Sequence, residues 1–206
     1  MATPITHIVL TEKVFNNLFN NFNKKDFIIG TSFPDIRYLG TIGREKTHIN
    51  VNNLVDLRDN NPFFAGMKFH TLVDKIREDF LLSRNIYSKC PESKYITKSI
   101  KFVEDKILYD KVTNWISYQN YFDNLLQEEL ESGAGKEAVS QWHGVLKKYF
   151  AKKPNEESIR TFVAEINLPE NVATEIQNNV NVIENIPEIN MYVEDLYNTF
   201  EELLKK

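Results

Sequence analysis

The chain has 206 residues, of which 42% are hydrophobic and 26% charged, with a formal net charge of −4. That much apolar material excludes a disordered chain, and acids and bases mixed without a basic stripe argue against nucleic acid as a partner. A single cysteine, Cys90, excludes an internal disulfide and fits a reducing compartment, and no apolar run approaches the length of a bilayer span.

MATPITHIVLTEK at the start lacks a basic segment followed by an apolar one, so a cytoplasmic address is expected. Ile8, Phe15, Leu18, Phe19 and Phe22 share one face of a first helix. The asparagine-rich run NNLFNNFNKK, 16–25, keeps helical spacing and reads as part of a surface helix. Gly30, Pro34, Gly40 and Gly43 then mark 30–50 as a loop-rich connection. Asn61-Pro62 reads as an N-cap with proline at the first helical position. Phe63, Phe69, Leu72, Val73, Ile76 and Phe80 form the apolar stripe of the helix that follows. Residues 96–131 carry a further long amphipathic pattern, broken at ESGAGK, and helices are expected near 136–151, 156–166 and 190–205. The expected fold is therefore all-α, in one multi-helix domain spanning 1–206.

The polar residues that carry chemistry cluster early. FHTLVDKIRED, 69–79, places His70 and Asp74 four apart on the central helix, where both side chains reach one ion. The simpler alternative is an i,i+4 hydrogen bond on a solvated helix face. Gly66, one turn earlier on the stripe, would leave room above the pair, and Glu78, one turn later, is a candidate supporting carboxylate. His7, Asp35 and His48 complete a set of nitrogen and oxygen ligands without a thiolate. Such a set suits zinc, manganese or iron and a substrate with phosphate oxygens. Arg37 and Arg44 share the segment of Asp35 and His48, where a guanidinium could hold a phosphate or form a surface salt bridge.

The sequence TH (6–7), PDI (34–36), R-x-x-TH (44–48) and GMKFHTLVD (66–74) resembles, in order and spacing, the zinc-dependent phospholipase C family. That all-α family is related in architecture to the P1-type zinc nucleases, and the likeness covers about residues 5–82. It implies a phospholipase C/P1 nuclease-like helical bundle with the metal site inside 5–82 and a helical remainder over 85–206. It also implies that Asp35, His48, His70 and Asp74 hold one metal, and that His7 with Asp74 holds a second, Asp74 bridging. One to two ions, zinc or another divalent metal, would activate water for attack on phosphorus. Asp35 would serve as ligand and general base, with Arg44 or Arg37 clamping the phosphate.

Downstream the chain departs from the family. No histidine lies between 74 and 143, and His143 has no glutamate four residues on, so the family's further His/His/Glu site is expected to be absent or rebuilt. Glu78 or Glu12 could substitute in a lighter site. Family members also ligate through a processed N-terminal amine, whereas Met1 or Ala2 begins this chain just ahead of His7. Trp142-His143 reads as helix packing with a satisfied imidazole. GAGK at 133–136 lacks P-loop spacing, Cys90 has no evident base, and no serine sits in a G-x-S-x-G elbow. The resulting expectation is a metal-dependent phosphoester hydrolase acting on a small phosphoester or a phospholipid. The alternative is a non-catalytic helical binding or effector protein with a vestigial metal site.

Overall fold

In the computed structural model, which describes residues 3–205, 73% of the chain is helical, in eleven α-helices, and no strand occurs among the described residues. No described helix is long and apolar enough to cross a membrane. The longest helix, α4 (Pro62–Ser83), begins as the sequence implies. Asn61 caps it, its Oδ1 accepting the Phe63 and Phe64 N–H groups at 2.8 and 3.4 Å, with Pro62 at the first turn, where no N–H is required. α1 (Pro4–Leu18) is buried on nearly every side from Pro4 to Thr11, so it runs through the interior rather than over it.

The segment that sequence punctuation marks as a loop is instead helical. α2 (Lys24–Ser32) contains Gly30, a 3-10 turn follows over Phe33–Leu39, and α3 (Arg44–Thr47) precedes His48. The glycine that looked like a breaker is there for packing. A Cβ on Gly30 would lie 2.0 Å from the Phe63 carbonyl oxygen, and one on Gly66 would lie 2.2 Å from the Phe27 carbonyl oxygen and 2.8 Å from the Thr31 nitrogen. The two glycines let α2 and α4 touch backbone to backbone. Gly66 therefore makes room for a helix, which corrects the expectation that it makes room for an ion. The asparagine run is likewise no continuous helix: α1 ends at Leu18, and Asn23 caps α2, its side chain accepting the Asp26 N–H.

The pattern over 96–131 divides into α5 (Ile96–Leu108), a 3-10 turn at Tyr109–Lys111, α6 (Trp115–Tyr121) and α7 (Gln127–Glu131). Gly133 and Gly135, at φ +87° and +88°, turn the chain into α8 (Lys136–Phe150). α9 (Glu156–Glu165) and α11 (Pro187–Leu203) lie near their expected positions. α10 (Glu170–Ile183) was not anticipated, although Val172, Ile176, Val180 and Ile183 form its buried stripe. Its β-branched and asparagine content lowers intrinsic propensity, and burial of that stripe compensates.

Buried polar contacts fix these helices to one another. Arg77 on α4 forms a two-pronged pair with Glu104 on α5, both fully buried, and Tyr192 on α11 donates to the same carboxylate at 3.0 Å. Asp105 on α5 accepts the Thr6 N–H at 2.8 Å, the Thr6 hydroxyl at 2.7 Å and the Tyr149 hydroxyl at 2.9 Å, joining α1, α5 and α8. Trp142 Nε1 donates to the Ser32 carbonyl at 3.1 Å and holds α8 against the end of α2.

Candidate metal centre

Five polar residues from four segments meet in the space bounded by α1, α2 and α4. His7 comes from α1, Asp35 from the 3-10 turn after α2, His48 from just beyond α3, and His70 and Asp74 from α4. Asp74 sits between them. Its Oδ1 lies 3.4 Å from His7 Nε2, and its Oδ2 lies 3.6 Å from His70 Nε2 and 3.8 Å from His48 Nε2. Potential ligand atoms of His7, His70 and Asp74, and those of Asp35, His48 and His70, each fall within 4.8 Å of one another. The His7 and His70 rings stack at 3.9 Å, and the His48 ring meets His70 edge-on at 5.0 Å.

This is not the solvated face of a helix. His70 is fully buried, His7 is 1% and Asp35 2% exposed, and Asp74 6%. Hydrogen bonding decides which ring nitrogen points inward. His70 Nδ1 lies 2.8 Å from the Thr31 carbonyl, which can only accept, so Nδ1 carries the proton and the neutral ring offers its Nε2 lone pair to the centre. The Thr47 hydroxyl donates to the Arg44 carbonyl at 3.2 Å and so accepts from His48 Nδ1 at 3.0 Å, leaving His48 Nε2 in the same state. The fold supports these tautomers, since the Gly66 contact brings Thr31 to α4.

Electrostatics agrees. Burial holds His70 well below the usual imidazole range, with the neighbouring His7 adding to the effect. Burial and the Arg44 charge push His48 down to about 3. Burial and the Asp74 charge raise Asp35. Burial would raise Asp74 too, but the adjoining His70 and His7 imidazoles outweigh it and hold its carboxyl well below the usual range. Near neutral pH the His48 and His70 rings are therefore neutral imidazoles facing an ionised Asp74.

Two lone-pair nitrogens and a carboxylate facing one point without a hydrogen bond are an unfavourable buried arrangement unless something binds them. His70 Nε2, His48 Nε2 and Asp35 Oδ1 make no hydrogen bond among the described residues. Ligands at about 2.0–2.2 Å from a tetrahedral ion stand about 3.3–3.6 Å apart, and Asp74 Oδ2 to His70 and His48 nearly matches that edge. The donor set therefore fits a divalent ion.

The remaining candidates separate into those at the centre and those elsewhere. Arg37 stands beside the centre, its Nη2 4.0 Å from Asp35 Oδ1 and its guanidinium 4.3 Å over the Tyr38 ring, while Arg44 is exposed beside His48. Glu78 is engaged with Arg77 at 3.0 Å and the Tyr87 hydroxyl at 2.9 Å. Glu12 pairs with Lys24 at 2.6 Å and accepts from the Tyr118 hydroxyl. Neither is at the metal cluster, which corrects their assignment as substitute ligands. His143 bonds the Phe122 carbonyl at 3.1 Å and Glu129 at 2.7 Å, the satisfied imidazole its position suggests. Residues 1 and 2, and with them the N-terminal amine, lie outside the described residues. Two residues of the centre escape sequence reasoning: Thr31, which orients His70 through its carbonyl, and Lys101, a buried lysine of α5 whose charge is felt at Asp35.

Comparison with known protein families, with curated proteins and with solved structures yields no match.

Proposed function

We propose that the chain is a divalent-metal-dependent phosphoester hydrolase with a phospholipase C/P1 nuclease-like helical arrangement. The observation that carries this reading is the convergence on Asp74 of three imidazoles from three separate segments, two with their ring tautomers fixed by hydrogen bonds. The carboxylate is divided between them, Oδ2 facing His48 and His70 and Oδ1 facing His7. His7, His70 and Asp74 thus offer one group of three ligands and Asp35, His48 and His70 another, with His70 common to both.

A bound zinc, manganese or iron ion supplies Lewis acidity and lowers the pKa of water towards neutrality. The residues of the chain do the rest. Asp35, raised by burial, is placed to hold or take a proton at its carboxylate. The Arg37 and Arg44 guanidiniums border Asp35 and His48, where they orient a phosphate by charge-assisted hydrogen bonds. His70 and His48 stay neutral and directed by Thr31 and Thr47.

A second reading, a non-catalytic binding or effector protein with a retained metal site, is favoured by one observation: every ligand side chain is nearly inaccessible. The two are separated by loading the purified chain with zinc or manganese and assaying phosphomonoester, phosphodiester and phospholipid substrates. Turnover that disappears in Asp35→Asn with metal retained supports the hydrolase. Retained metal without turnover on any substrate supports the binding protein.

A further inference from the structure

The two groups of three ligands overlap at His70, and the overlap limits how many ions they hold. His70 Nδ1 donates its proton to the Thr31 carbonyl, so the ring has one lone pair, on Nε2, and serves one ion. Ring geometry decides which ion. An imidazole lone pair lies in the plane of its ring, so two rings meet at one ion only where their planes cross. The His48 and His70 planes stand at 90° with ring centres 5.0 Å apart. Two imidazoles bound to one tetrahedral ion at about 2.0–2.1 Å have ring centres about 5 Å apart, which matches that pair. The His7 and His70 rings are stacked instead, 16° from parallel with centres 3.9 Å apart, and such planes cross only far from either ring.

The unpaired atoms point the same way. Asp35 Oδ1, His48 Nε2 and His70 Nε2 are buried and make no hydrogen bond among the described residues. Asp74 Oδ2 faces the same two nitrogens, at 3.8 Å from His48 and 3.6 Å from His70. With His70 taken, the other group keeps only His7 and Asp74, fewer than the three protein ligands of a catalytic zinc site. His7 is left with a different task. Its ring covers one face of the His70 ring while the Thr31 carbonyl holds the Nδ1 edge, and together they fix the plane in which His70 presents its lone pair. His7 Nε2 meanwhile faces Asp74 Oδ1 at 3.4 Å, the carboxylate oxygen that is not turned to His48 and His70.

We propose that the centre holds a single ion, on Asp35, His48 and His70, and that His7 is a positioning residue that stacks on His70 and binds no metal. The inference rests on the metal reading above and adds the number of ions and the part played by His7. Hydrolysis then proceeds at one ion, with the Arg37 guanidinium, 4.0 Å from Asp35 Oδ1, supplying the positive charge that a second ion would bring to a bound phosphate. The test uses the full chain in wild type, His7→Phe, His7→Ala and His48→Phe. Zinc is measured by elemental analysis after desalting and by titration calorimetry, and manganese by electron paramagnetic resonance. Phenylalanine keeps a ring that stacks and removes both ligand nitrogens. The expected result is one equivalent of zinc in wild type and in His7→Phe, with affinities within about threefold of each other. His7→Ala, which loses the stack, binds zinc about tenfold more weakly, and His48→Phe, which loses a ligand, more than about a hundredfold more weakly. Manganese gives the spectrum of an isolated ion, whereas a second ion about 3.5–4 Å away would couple to it. Two tightly held equivalents of zinc, or a coupled manganese pair, overturn the proposal and leave the metal reading standing, and these wild-type measurements decide the count even where a variant fails to fold. A folded His7→Phe that loses as much affinity as His48→Phe also overturns it, as does a His7→Ala that binds as tightly as wild type. A folded wild-type chain that takes up neither metal overturns the metal reading and this inference with it.

Discussion

Asp74 is the residue on which the centre depends, because each imidazole of the cluster approaches one of its two oxygens. Asp74→Ala and His70→Ala are expected to abolish tight metal binding, whereas His7→Ala, which keeps the Asp35, His48 and His70 group intact, leaves one ion in place. Metal analysis after desalting distinguishes them. Zinc at a hundredfold excess over its Kd should stabilise wild type by about 2.7 kcal/mol, an increase in melting temperature that both Asp74→Ala and His70→Ala lose. The depressed imidazoles give a pH signature in the metal-free chain. His48 takes a proton at about 6.5 when unfolded and only at about 3 when folded. Its contribution is neutral above pH 6.5, and stability is lost as the pH falls from there towards 3. The stability advantage of wild type over His48→Gln should therefore shrink from pH 7 to pH 5 in denaturant titrations, and an unchanged difference would refute the assignment. The five clustered residues were legible in the sequence because histidine is rare in it and His-x-x-x-Asp fixes two of them on one helix face. Thr31 was not, since it acts through its backbone carbonyl. Lys101 was not, since a lysine in an amphipathic helix is assigned to the wet face and only tertiary packing buries it.

At the level of elements, the α2–α4 contact is the support on which the centre rests. Any side chain at Gly30 or Gly66 meets backbone, which cannot move aside. Gly66→Ala is expected to destabilise the fold by about 2–4 kcal/mol through overpacking, and to weaken zinc binding by displacing Thr31 from His70. Urea denaturation and zinc titration of the same protein check both effects, and an Ala variant as stable as wild type would show that the helices are not in backbone contact. The Arg77–Glu104 pair between α4 and α5 makes a separate prediction. Removing Arg77 alone, as Arg77→Met, leaves Glu104 buried and uncompensated and should cost about 3–5 kcal/mol, while Arg77→Met with Glu104→Met costs much less. A double-mutant cycle in denaturant measures the difference. α4 was readable because Asn61-Pro62 is a local start signal that tertiary contacts did not override. α2 was not, because Gly30 inside it, Pro34 opening the 3-10 turn and Gly40 at φ +78° read together as punctuation. A glycine selected for helix–helix contact looks the same in sequence as one selected for a turn.

Across the whole molecule, the N-terminal half supplies the candidate ligands and the C-terminal half encloses them. α5 reaches α1 through Asp105 and α4 through Glu104, α11 reaches Glu104 through Tyr192, and α8 reaches the end of α2 through Trp142. The helical class was legible from periodicity over the whole chain. The role of residues beyond 85 was not, because it consists of long-range contacts between residues 27 to 110 positions apart. Enclosure explains why the His/Asp cluster is buried, and metal uptake is the property from which the proposed hydrolysis follows. Elemental analysis by mass spectrometry of the full chain, purified from metal-supplemented cells, tests that property most directly. The account predicts at least one equivalent of zinc, manganese or iron per chain, absent from His70→Ala and Asp74→Ala proteins that remain folded. A folded wild-type chain that holds no such metal, and takes up none when it is supplied, would contradict it.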